Sequence, residues 1–237
     1  MPHPREAVVH GYGGAGTKPG IDGFTTCDPV DLFGGCVHEF IAEAVQDKGA
    51  TAVAVLNAAC TARYGERRAV TCQHGMGHGL MNFYGYDEKG LAQSLSVCGT
   101  IHSVDQTEGC FGGSFMEFNL RTIVDNKLRD FAPDDPFAIC KKVTAGYASA
   151  CYFWTPQWIL ESVYKTVRTP KTFAGVGAYC AQVTNTEMRY SCFRGLGYFA
   201  PPSSHFQKAE AKKLCDAVSD TQKDRDDCWS LAKVSFK

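Results

Sequence analysis

Three histidines hold matching places relative to cysteines. His38 follows Cys36 by two residues in Cys36-Val37-His38-Glu39, and His74 follows Cys72 by two in Cys72-Gln73-His74-Gly75-Met76-Gly77-His78-Gly79. Arg194 holds the same place after Cys192, while His78, Met116 and Tyr198 stand six residues after Cys72, Cys110 and Cys192. A separation of four puts both places on one helix face, with Cβ atoms ~5–6 Å apart. Glu117, in the segment opened by Cys110, is the nearest carboxylate in register. His38, His74, His78 and Glu117 together make a plausible donor set for zinc, copper or iron. Met76, Met81 and Met116 would favour copper as soft donors, or else fill a core. Glu39 is a candidate acid/base group or an orienting partner for its neighbour; on a helix it also has the option of facing solvent.

Other chemistries lack residues. The zinc-protease pattern His-Glu-x-x-His is broken, because Gly75 follows His74 and Ala42 stands where a second histidine would follow His38-Glu39. No Gly-x-Ser-x-Gly elbow exists, and a paired set of cysteines leaves no thiol nucleophile. Cys-x-x-Cys is absent, which disfavours zinc ribbons and thioredoxin-type exchange. The N-terminal glycines have no closing Gly-Lys-Ser/Thr and so do not make a phosphate loop. Net charge is −1, with no basic stripe for nucleic acid. No apolar run reaches the ~20 residues of a membrane span.

The elements that must position these residues follow from the cysteines. After Cys27/Cys36 the couples Cys60/Cys72, Cys98/Cys110, Cys140/Cys151, Cys180/Cys192 and Cys215/Cys228 recur with partners 11 to 13 residues apart. The second member returns roughly every 36 to 41 residues, which is repeat spacing. Twelve cysteines allow about ten thousand connectivities. The constant separation within couples, against varying surroundings, selects sequential pairing. Disulfides imply an oxidising compartment, secreted or periplasmic, although Met1-Pro2-His3-Pro4 opens no signal peptide. The expectation is a chain whose export signal has been removed.

Residues 1–25 are rich in Gly and Pro and read as an irregular arm, and residues 26–237 as a helical repeat domain. Ala50 to Cys60 is a strong helix former. Asp87, Asp135 before Pro136, Thr169 before Pro170, and Ser203/Ser204 predict helix starts. Pro156 predicts a kink. Each repeat becomes an αα-hairpin, and each bridge ties the end of one hairpin to the beginning of the next. The fold expected is all-α, a solenoid of about five to six such hairpins. Gly75, Gly77 and Gly79 cost about 1 kcal/mol each in a helix relative to alanine. They call for close helix packing or for room beside the histidines.

With Cys-x-x-Gly opening at Cys72, Cys110 and Cys192, the chain resembles secreted cysteine-rich helical-repeat proteins of the tetratricopeptide-like kind, in which a disulfide staples every hairpin. The resemblance spans residues 27–237 at the level of architecture. It departs in its longer linkers and in lacking the small-residue and aromatic signature. It implies a curved helical array with a binding surface, and it carries no function over. Three readings stay open: a metal-binding protein, a metal-dependent oxidative or hydrolytic enzyme at the same site, and a metal-free scaffold. In the last, Arg194, Tyr198 and Met116 line a groove for a protein or peptide, with aromatics such as Trp154 either beside them or in the core.

Overall fold

In the computed structural model, residues 35–121, 125, 127–165 and 167–236 are described, apart from the side chains of residues 35, 36, 38 and 39. The glycine-rich arm, the Cys27–Cys36 couple and the side chains of His38 and Glu39 lie outside them. Helices make up all the regular structure among the described residues, and no strand occurs there. No described helix is long and apolar enough to cross a membrane. The chain divides into two compact units, residues 1–126 and 127–237.

The first unit holds α1 (Gly35–Lys48), α2 (Ala50–Tyr64), α3 (Glu66–Tyr84), α4 (Glu88–Cys98) and α5 (Cys110–Leu120). α1, α3 and α5 pack side by side in one layer, and α2 and α4 bridge them from outside. The second holds α6 (Ala138–Lys142), α7 (Ala145–Tyr164), α8 (Pro170–Ala181), α9 (Thr186–Ser203), α10 (Lys208–Asp216) and α11 (Gln222–Ala232), closed by a 3₁₀ turn at Lys233–Phe236. Here α7, α9 and α11 form the layer, with α8 and α10 as connectors.

Five disulfides join Cys60–Cys72, Cys98–Cys110, Cys140–Cys151, Cys180–Cys192 and Cys215–Cys228, as sequential pairing requires. In α3, α7, α9 and α11 the second cysteine is the seventh residue of its helix, whereas α5 begins on Cys110 itself. Each bridge closes a short loop and by loop entropy contributes roughly 3 kcal/mol.

Two expected helix starts hold. Asp87 accepts from the Gly90 amide, and Thr169 forms a capping box with Thr172 ahead of Pro170. Two others differ. The Asp135 carboxylate is taken by Lys141, 2.8 Å away, and the helix begins three residues later at Ala138. Ser203 and Ser204 end α9 instead of starting α10, because the Ser204 amide closes the last turn on the Ala200 carbonyl. α7 runs on through Pro156 as one helix.

Glycines set the spacing of the layer. A Cβ at Gly113 would fall on the His74 carbonyl oxygen, and one at Gly77 on that of Cys110. In the second unit Gly195 meets the Phe153 carbonyl and Gly197 the Cys228 carbonyl in the same way. These are contacts of backbone with backbone, so no side chain can yield. Gly113→Ala is expected to cost about 2–3 kcal/mol through overpacking. Gly146→Ala, at a helical position with nothing within 4 Å, should raise stability by up to about 1 kcal/mol. Denaturant melts of the two variants check the contrast.

An ion pair between half-buried Arg189 and buried Asp224 ties the second unit. Arg189 holds Asp224 through Nε at 3.0 Å and Nη2 at 2.6 Å, while Ser219 and Thr221 donate to the same carboxylate. Burial alone would raise this carboxyl, but those hydrogen bonds and the Arg189 charge outweigh it and hold it below its ordinary value. A depressed folded value adds stability above the unfolded pKa of about 3.9 and loses it as pH falls through the folded value. Asp224→Asn should therefore cost about 2 kcal/mol at neutral pH and nearly nothing in strong acid. Stability measured from pH 7 down to 2 reads the difference.

Candidate functional site

α3 and α5 run in register where their backbones touch at His74 and Gly113. One helical turn further along both helices, His78 faces Glu117. Histidine Nδ1 and Glu117 Oε2 lie 2.6 Å apart, and both side chains are 0 % exposed. The glycine is thus what lets an imidazole and a carboxylate meet in the interior. In sequence the spacing of four runs on past both helix ends, as His74–His78–Asn82–Tyr86 and Gly113–Glu117–Arg121–Asp125, with Tyr86 and Asp125 beyond the last helical turns.

The outer members are joined too. The Tyr86 hydroxyl hydrogen-bonds Asn82 Oδ1. Arg121 lies 4.9 Å over the Tyr86 ring and pairs with Asp125 at 2.5 Å. Burial first, then the charges of Glu117 and Asp125, push the Tyr86 phenol well above its usual value, against the opposing charge of Arg121. This hydroxyl therefore stays protonated and acts as a donor. Arg121 takes a left-handed backbone, φ 47°, where α5 ends.

Both imidazoles have a defined tautomer. His74 Nδ1 lies 2.7 Å from the Glu108 carbonyl oxygen, which can only accept, so Nδ1 carries the proton. His78 Nδ1 likewise donates to the carboxylate. With Nδ1 carrying the proton, the nitrogen left to hold a lone pair in a neutral ring is Nε2, and the two ring centres are 5.0 Å apart. Donation of one ring nitrogen to a carbonyl or carboxylate is how metal-binding histidines are usually oriented.

Of the predicted donor set, His74, His78 and Glu117 come together. His38 belongs to α1, and its side chain and that of Glu39 lie outside the described residues. Glu117 sits where an orienting partner of His78 belongs. Among the described residues no group of three His, Cys, Asp or Glu side chains is placed to hold a metal ion. Met76 and Met81 are fully buried and Met116 is 6 % exposed, all three in the core. Gly77 and Gly113 serve helix approach, as the packing alternative had it, and Gly79 does the same against the Ala42 carbonyl. Arg194 and Tyr198 lie in the second unit, where Tyr198 is exposed and stacks edge-on with buried Trp154 and Phe153. Phe153, Trp154, Trp158 and Phe193 are core residues.

Asn82, Tyr86, Arg121 and Asp125 carry a sequence signal that the cysteine alignment does not show. They repeat the spacing of four beyond His78 and Glu117. No protein-family model, curated protein or solved structure matches the chain.

Proposed function

We propose that this is an exported helical-repeat protein that binds a transition metal through Nε2 of His74 and His78. One observation carries the reading: two imidazoles one turn apart, each with its Nδ1 proton committed to an oxygen acceptor. Packing does not demand this pair. In the second unit the α7–α9 junction uses the same glycine approach, and the places of His78 and Glu117 are taken by Gln157 and Phe199.

His38, on α1, is the third donor of the proposed set. Glu117 then orients His78 and supplies negative charge without entering the coordination sphere. An imidazole set of this kind suits zinc, copper or iron. Export rests on the five disulfides, which persist in oxidising compartments.

The test is metal titration of the metal-stripped, disulfide-intact protein with zinc and copper. One equivalent should bind, and at 100 times the dissociation constant the fold should gain about 2.7 kcal/mol. Absence of binding, with an unmoved melting temperature, refutes the proposal.

A further inference from the structure

Glu108, whose carbonyl takes the His74 proton, sits in the loop between α4 and α5, residues 99–109. In α3, α7, α9 and α11 six helical residues precede the second cysteine, but α5 begins on Cys110 itself, so residues 104–109 fold as a loop instead. Asp105 organises that loop. Its Oδ1 accepts from the Thr107 and Glu108 amides, each at 3.0 Å, and its carbonyl accepts from the Gly109 amide at 2.9 Å. The Ser103 hydroxyl donates to the same carbonyl at 2.9 Å. The Gly109 N–H and the Glu108 C=O belong to one peptide, and in a trans peptide the two point in opposite directions. Holding the amide on Asp105 therefore aims the carbonyl away from the turn and at His74 Nδ1, 2.7 Å away. Buried Gln73, next to His74 on α3, donates to the His102 carbonyl at 2.9 Å and fastens the loop nearer its start.

We propose that Asp105 is a positioning residue for His74. Its carboxylate and its carbonyl fix the Glu108–Gly109 peptide, whose oxygen takes the Nδ1 proton and leaves Nε2 as the nitrogen for a ligand. Asp and Asn side chains both reach backbone amides two residues on, whereas Ala offers no acceptor, and that makes the three residues a test series. The consequence for metal binding rests on the proposed function; control of the His74 tautomer does not.

The experiment is nitrogen NMR of the metal-free protein labelled at histidine, at about pH 8.5, two units above the ordinary imidazole value. The two ring nitrogens of His74 are assigned by their absence from His74→Ala. In the unaltered protein Nδ1 should carry the proton, and a His74 protonated on Nε2 there overturns the proposal before any variant is made. Asp105→Ala should turn His74 into a mixture of both tautomers and lower zinc affinity about tenfold, the low end for outer partners of a ligand. Asp105→Asn should restore the Nδ1-protonated form. His78, whose Nδ1 faces Glu117, should keep its resonances throughout and is the control for the fold. A His74 that stays Nδ1-protonated in Asp105→Ala overturns the proposal whatever stability is lost, since a purely structural role moves only the melting temperature. Zinc uptake by the unaltered protein is scored separately. No uptake with a shifted tautomer in Asp105→Ala refutes the metal reading and keeps the positioning role, while uptake with an unshifted one does the reverse.

Discussion

His74→Ala lowers zinc affinity by at least about 100-fold, more than loss of an outer partner would, while leaving the fold close to its original stability. His74 is half-buried on α3, and its Nδ1 donates to the Glu108 carbonyl, with no buried charge left behind when the ring is removed. His78→Ala should remove metal binding to the same degree, but it also strips the partner from a fully buried carboxylate and destabilises the unit. The two variants together separate ligand loss from fold loss. His205→Ala, at an exposed turn in the second unit, is the control and should leave zinc binding unchanged. Isothermal titration with melting curves on the same samples measures both effects.

Glu117→Ala is the most destabilising single change in the site. Breaking a buried pair by removing one partner costs about 3–5 kcal/mol, because the remaining polar group stays in the interior without compensation. Here His78 loses its acceptor while its ring stays fully buried. Replacing both members, His78→Leu with Glu117→Leu, should recover most of that loss, since apolar pairs of similar volume substitute well for buried ion pairs. Such a double variant would be stable and unable to bind metal. That outcome would mark the pair as kept for binding, in line with Gln157 and Phe199 at the equivalent places of the second unit. A double-mutant cycle by denaturant unfolding gives the coupling.

The helical class and the disulfide order were legible because each rests on local chemistry. Cysteine spacing of 11 to 13 residues is what a short link between two helices leaves, and Asp87 and Thr169-Pro170 are caps whose function needs only neighbouring amides. The site was legible in part. Alignment on the cysteines brings His74, His78 and Glu117 near one another because α3 and α5 are equivalent helices of adjacent repeats. It does not show that Glu117 lies one place off the histidine position. That offset arises from contact geometry, where the face of one helix turned to its successor is not the face the successor turns back. Nor does composition reveal the depth of the pair. α5 is buried along its whole length, Cys110–Leu120, so groups that read as lining a groove stand in the interior. Ser203 and Ser204 show the other limit: a serine pair after prolines suits a helix end as well as a start, and the free carbonyls of α9 decide which.

The central claim is that two imidazoles of α3 share one ion through Nε2. X-ray absorption spectroscopy of the protein loaded with one equivalent of copper or zinc tests it most directly. The predicted spectrum shows multiple scattering from at least two imidazole ligands and no sulfur neighbour, and loses one imidazole in His74→Ala. A spectrum built from oxygen neighbours alone, or one unchanged by that substitution, contradicts it.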